Sequence, residues 1–157
     1  MMRMLFAVDD STESLQATDI FVQRLEWYRE KPEIHLLNAQ PPLRGDIASF
    51  LKPGLIEQYH RDEGSKAIVP VQTILEAAGL SPKTHIVVGN AAEMIVRYAA
   101  EKGCHQIVMG SRGLGSAGGW VLGSTVTRVL HQAGVPILIL RQAAVDPVAP
   151  SVHAKKI

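Results

Sequence analysis

The stretch Gln106–Leu140, QIVMGSRGLGSAGGWVLGSTVTRVLHQAGVPILIL, reads as strand, glycine-rich segment, helix and strand in that order. Gln106-Ile-Val-Met109 and Val135 to Leu140 are apolar runs of strand length. A helix is expected between them, over roughly Ser124 to Gln132. Short apolar strands without polar interruption belong in a parallel sheet covered on both faces, with helices as the crossovers.

The same alternation continues outward. Met4-Leu-Phe-Ala-Val8 is an apolar run stopped by Asp9-Asp10-Ser11. Asp10 and Glu13 have capping-box spacing, so a helix is expected to start there, with Ala17, Phe21, Leu25 and Tyr28 on one face. Pro32 closes that unit. Ile34 to Ala39 is the second strand, ended by Pro41-Pro42. Pro53-Gly54 reads as a helix break, and Leu55 to Ala78 suits a helix that Gly64 and Pro70 should bend or split. His85 to Val88 is the third strand. Asn90 with Glu93 caps a helix whose apolar face is Met94, Ile95, Tyr98 and Ala99, and Gly103 stops it. The expected fold is therefore α/β, a doubly wound five-stranded parallel sheet sandwiched by helices, with right-handed crossovers. Residues 1–142 form the domain. Residues 143–157, with two prolines and no periodicity, read as a tail or arm.

Composition narrows the function classes. A chain of 157 residues with 46% apolar and 20% charged content fits one domain with a real core. Its net charge of +1 provides no field for gripping nucleic acid or an anionic membrane. The single cysteine, Cys104, excludes an intrachain disulfide and fits a reducing compartment. The run ending at Asp9 is short for a signal peptide, and Val135 to Leu140 is too short to span a bilayer. A soluble, cytoplasmic protein without nucleic-acid or membrane partners is expected. Cys104-His105 invites a thiolate or metal reading, but adjacent residues rarely converge on one atom, and a structural role is expected.

Six glycines lie between Met109 and Thr125, after a strand and before a helix. Glycine lets backbone amides approach an anion, and the following helix adds unpaired amides and the positive end of its dipole. From Lys102 through Val145 there is no Asp or Glu, while Arg112 and Arg128 fall inside that span. Gly113-x-Gly115-x-x-Gly118 matches the dinucleotide fingerprint, but it follows the wrong strand and lacks the acidic residue about 20 positions on. Gly118-x4-Gly123-Ser124-Thr125 resembles a P-loop with Ser124 where the lysine must be.

Gly110-x2-Gly113-x9-Gly123-Ser124 matches without exception the Gly-x2-Gly-x9-Gly-Ser/Thr signature of ATP-binding universal stress proteins. The resemblance to that family covers about 140 residues. It includes Ala7-Val-Asp-Asp-Ser11, Val88-Gly89, Ile107 to Gly113 and Val135 to Leu140. It implies a Rossmann-like nucleotide-binding domain that takes ATP, with Mg²⁺. By resemblance, Gly110 and Gly113 shape the loop over ribose and phosphates; Arg112, between them, is a candidate phosphate contact on its charge alone, with a solvated side chain as the alternative. Gly123, Ser124 and Thr125 offer amides, and Ser124 a hydroxyl, to the phosphates. Asp9 sits beside the nucleoside, and the Ala39 backbone faces adenine. Asn38 and His105 depart from residues common in the family, at positions not expected to touch nucleotide. The resemblance also implies a homodimer paired through the last strand, Val135 to Leu140, and a regulatory stress-response role. The alternatives are a slow ATP hydrolase, since no motif positions a general base, and a nucleotide-free dimeric interaction module.

Overall fold

Five parallel strands stand in the order β3-β2-β1-β4-β5. They are β1 (Arg3–Ala7), β2 (Glu33–Gln40), β3 (Lys83–Val88), β4 (Gln106–Gly110) and β5 (Ile137–Leu140). The helices are α1 (Thr12–Gln23), α2 (Gly45–Ala48), α3 (Pro53–Ala77), α4 (Ala91–Glu101) and α5 (Ser124–Gln132). The structure, a computed structural model, describes residues 1–111 and 122–141. Arg112, Gly113 and the 143–157 tail lie outside the described residues.

Strand alternation divides the core into two layers. On one face Met4, Phe6 and Val8 pack with Phe21 of α1 and Ile68, Val71 and Leu75 of α3. On the other, Leu5 and Ala7 pack with Ile95 and Ala99 of α4 and Val126 and Val129 of α5. Phe6 and Phe21 meet edge to face with ring centroids 5.4 Å apart. The expected sandwich is the observed one. β1 pairs with β2 on one side (Ala7 opposite Leu37) and with β4 on the other (Ala7 opposite Met109). Strand order therefore reverses beside β1, and a crevice opens there outside the carboxyl ends of the strands.

Several local expectations are corrected. The cap of α1 is Ser11, not Asp10: Ser11 Oγ accepts the Ser14 amide at 3.2 Å. The helix ends at Gln23, and Leu25 belongs to a 3₁₀ turn, Leu25–Trp27. Pro53 starts α3 rather than breaking it, because the first helical position needs no amide donor. α3 then runs unbroken through Gly64 and Pro70. Its buried stripe of His60, Gly64, Ala67, Ile68, Val71 and Leu75 keeps helical period from His60 to Leu75, while Pro70 points to solvent. β5 begins at Ile137, two residues later than expected, since Pro136 only presents its carbonyl to the Ile107 amide (3.0 Å). α4 and its Asn90 cap, and the stop at Gly103 (φ +60°), are as expected. No described helix is long and apolar enough to cross a membrane.

Candidate functional site

The crevice is a cavity of about 740 Å³, within the range of small-molecule sites. Its floor is the ends of β1 and β4: Ala7, Val8 and Asp9 beside Met109 and Gly110. One side is Leu37 and Ala39 of β2, followed by Pro41 and Pro42. The opposite walls are two helix starts, Asn90 to Ala92 of α4 and Gly123 to Val126 of α5, with Arg128 one turn along α5.

Local chemistry explains how each wall is held. Asn38 is buried, and its Nδ2 donates to the Val8 carbonyl at 2.9 Å, beside the backbone bond from the Val8 amide to the Leu37 carbonyl (2.9 Å), so β1 and β2 stay joined just past the end of β1. Gln40 Nε2 donates to Asn38 Oδ1 at 2.6 Å, and the Gly89 amide donates to the Gln40 carbonyl at 2.9 Å. That last bond fixes where α4 starts. Ser111 donates its amide to Leu140 (3.2 Å), and its carbonyl accepts the Gly123 amide (3.0 Å). That backbone bond joins the exit of β4 to the entry of α5.

Asp9 has a double task. Its Oδ1 accepts the Ser11 hydroxyl and, at 2.8 Å, the Ser14 hydroxyl, while its amide donates to Ser14 Oγ at 3.0 Å. These bonds join the end of β1 to the cap of α1 and leave the residue half-buried on the cavity floor. Asp9 is the one carboxylate and Arg128 the one cation among the described lining residues.

Of the eight residues singled out from sequence, Asp9, Ala39, Gly110, Gly123, Ser124 and Thr125 line this one cavity. Arg112 and Gly113 fall outside the described residues. One assigned role changes. The Gly123 amide is spent on Ser111, so the amides on offer are those of the helix start from Ser124 onward, which no described side chain caps. Sequence reasoning did not place Asn90, Ala91, Ile95, Met109 or the two prolines in the site. Strand-helix alternation carried a usable signal, since every helix that follows a parallel strand starts at the same end of the sheet.

Cys104 is buried, and burial pushes its thiol above the ordinary range, away from the reactive thiolate. His105 Nδ1 accepts the Arg3 amide at 2.9 Å. Among the described residues no three metal-ligating side chains gather.

A sequence model of the universal stress protein family matches residues 1–141. The chain belongs to that family. A universal stress protein of Mycolicibacterium smegmatis is 36% identical over 159 aligned residues, spanning 93% of this chain and 51% of that one. The chain spans 24% and 52% of two further curated relatives, from Synechocystis and Methanocaldococcus jannaschii. Among solved structures, the M. jannaschii protein MJ0577 superposes with a TM-score of 0.74 at 24% identity, covering 90% of this chain and 96% of that one. A family member from Arabidopsis thaliana, solved with AMP bound, gives 0.66 at 16% identity, covering 92% and 94%. Further family structures similar to this chain were solved with cAMP and with dAMP.

Proposed function

We propose that this universal stress protein is a regulatory module that binds ATP in the cavity at the carboxyl ends of β1 and β4. The observation that carries the reading is convergence: six of the residues named by the glycine signature and its flanks line a single cavity of about 740 Å³. Adenine stacks into the apolar side formed by Leu37, Ala39 and Pro41, and the nucleoside lies beside Asp9. The phosphates face the uncapped start of α5, where helix amides and dipole favour an anion, with Arg128 as a nearby cation. Adenine nucleotides bound to similar family members support the same ligand class. Mg²⁺ would be carried by the phosphates, because Asp9 alone among the described lining residues offers a carboxylate and its Oδ1 already accepts two hydroxyls.

A regulatory role is favoured over hydrolysis. No described lining residue other than Asp9 could act as a general base, and Asp9 is tied to the cap of α1. Turnover with ATP and Mg²⁺ is therefore expected far below the enzyme median of about 10 per second. We also infer a homodimer through the last strand, since β5 is an edge of the sheet.

Calorimetric ATP titration tests the assignment. Gly113→Val, inside the signature, should abolish binding. Gly115→Ala, outside it, should be nearly silent. Ser124→Ala, losing one hydroxyl but no amide, should weaken binding by about 0.5–3 kcal/mol, depending on the charge of its acceptor. Binding lost in Gly115→Ala and kept in Gly113→Val would overturn the choice of motif. Sustained turnover near the median would overturn the regulatory reading.

A further inference from the structure

Toward the amino ends of β2 and β3, away from the cavity, four side chains form one hydrogen-bonded chain. Tyr98 Oη lies 2.9 Å from His85 Nδ1, His85 Nε2 lies 3.1 Å from His35 Nδ1, and His35 Nε2 lies 3.0 Å from Glu33 Oε1. The two imidazole planes differ by 9°. The chain links β2, β3 and α4, and His35 within it is buried.

The facing charges are mostly positive. Lys83 of β3 donates to Glu33 Oε1 at 2.7 Å, and Arg3 of β1 approaches it at 3.3 Å. Lys102, capping α4, lies 5.2 Å from the centre of the Tyr98 ring and accepts Arg3 Nη1 at its carbonyl (2.6 Å). His105 Nδ1 is occupied by the Arg3 amide, and Cys104 is buried nearby.

Proton positions follow from one end. Hydrogen bonds from Lys83 and His35 hold the Glu33 carboxyl down to about 2, so it only accepts. His35 therefore carries a proton on Nε2, and when neutral its Nδ1 accepts. His85 must then be the Nε2–H tautomer, and its Nδ1 accepts the Tyr98 hydroxyl. A first added proton keeps all three bonds: His85 becomes a double donor, with Tyr98 oxygen accepting, or His35 does so while His85 changes tautomer. A second proton places two N–H groups face to face across the 3.1 Å contact, with no acceptor between them and like charges on both rings.

We propose that the Tyr98–His85–His35–Glu33 chain is an acid-sensitive latch, which keeps α4 fastened to the β2–β3 edge with one shared proton and parts between the imidazoles when a second arrives. Burial first, then His35, Lys102 and Lys83, push the His85 pKa down, in agreement with the geometry. The sign follows. Unfolded histidine binds its proton near ~6.5, before the folded pair accepts its second, so stability is lost as pH falls from there toward the lowered folded value. Opening also loosens α4, whose other end walls the cavity. The test needs no nucleotide and stands apart from the proposed function.

Imidazole ¹⁵N spectra of the whole chain, titrated from neutral to mildly acid pH, should show Nε2–H tautomers for His35 and His85 at the start. Their two proton steps should then be separated by more than about one unit. In parallel, hydrogen-exchange protection of β3 and the carboxyl half of α4, measured against β1, should fall by up to about tenfold per pH unit from ~6.5 down to the second step and level off below it, as expected for opening that takes up one proton. His85→Gln, which keeps a bridging carboxamide without the titration, should lose that fall. Independent titration of both rings near their ordinary value, constant protection, or an equal fall in His85→Gln would each overturn the latch. Should the variant misfold, the unmodified chain's titration decides alone.

Discussion

Asp9, two residues past the end of β1, has its carboxylate already engaged by the hydroxyls of Ser11 and Ser14, so a structural task and the proposed ligand task meet on one side chain. The two can be separated. Asparagine retains an oxygen that accepts both hydroxyls but loses the charge and replaces the second oxygen with a donor. Asp9→Asn should therefore lose less stability than Asp9→Ala, and lose ATP affinity if the nucleoside donates to the carboxylate. Asp9→Ala releases both serines and should cost stability as well, on the order of 1–3 kcal/mol for charge-assisted bonds at a partly exposed site. Paired urea unfolding and calorimetry of the two variants gives the answer, and unchanged affinity in Asp9→Asn would confine Asp9 to capping. From sequence, Asp9 was legible as a strand-end residue and by resemblance as a ligand neighbour. Its grip on Ser14 was not, because Asp10 and Glu13 offered the better-known spacing.

At the level of the element, α3 shows how packing overrides propensity. Glycine and proline inside a helix each oppose it, yet α3 is continuous for 25 residues. Gly64 is there for closeness: a Cβ at that position would lie 2.7–2.8 Å from the Ile86 side chain of β3. Gly64→Ala should thus destabilise the protein despite better helix propensity. The overpacking cost of about 1–3 kcal/mol outweighs a gain of about 1. Pro70 faces solvent and makes no such contact demand. Pro70→Ala should stabilise by on the order of 1–2 kcal/mol, the restored helix bond exceeding the added freedom of the unfolded chain. Urea midpoints at constant slope read both effects. A stabilised Gly64→Ala would mean that Ile86 yields freely.

For the whole molecule, the open question is what covers β5. Its neighbour β4 takes the Pro136 carbonyl through Ile107 and the Leu140 carbonyl through Ser111. In a parallel ladder alternate residues serve one neighbour, so the amides and carbonyls of Ile137 and Ile139 point outward, away from β4 and without a partner strand among the described residues. A dimer near twice 17.1 kDa is expected. Ile139→Pro removes an outward amide that β4 does not use, so light scattering should show dissociation to monomer while circular dichroism keeps the fold. A monomeric native protein at high concentration would refute pairing through this edge.

The sequence by itself determined the strand-helix alternation, the parallel sheet and the end of the sheet where the cavity lies. Each follows from short-range patterns: apolar runs of strand length, caps such as Asn90, and glycine spacing at Gly110 and Gly123. Only the tertiary structure decided the rest. Strand order put Asp9 between Ala39 and Gly110, and helix starts from two distant units became facing walls. It also joined Glu33, His35, His85 and Tyr98 into one chain, although they are up to 65 positions apart. The continuity of α3 belongs here too, because the cost of Gly64 is offset by a strand 22 residues away. The physical reason is common to all of these. Propensity and capping act within a turn or two of the chain, whereas burial, register and proton sharing depend on which residues the sheet makes neighbours.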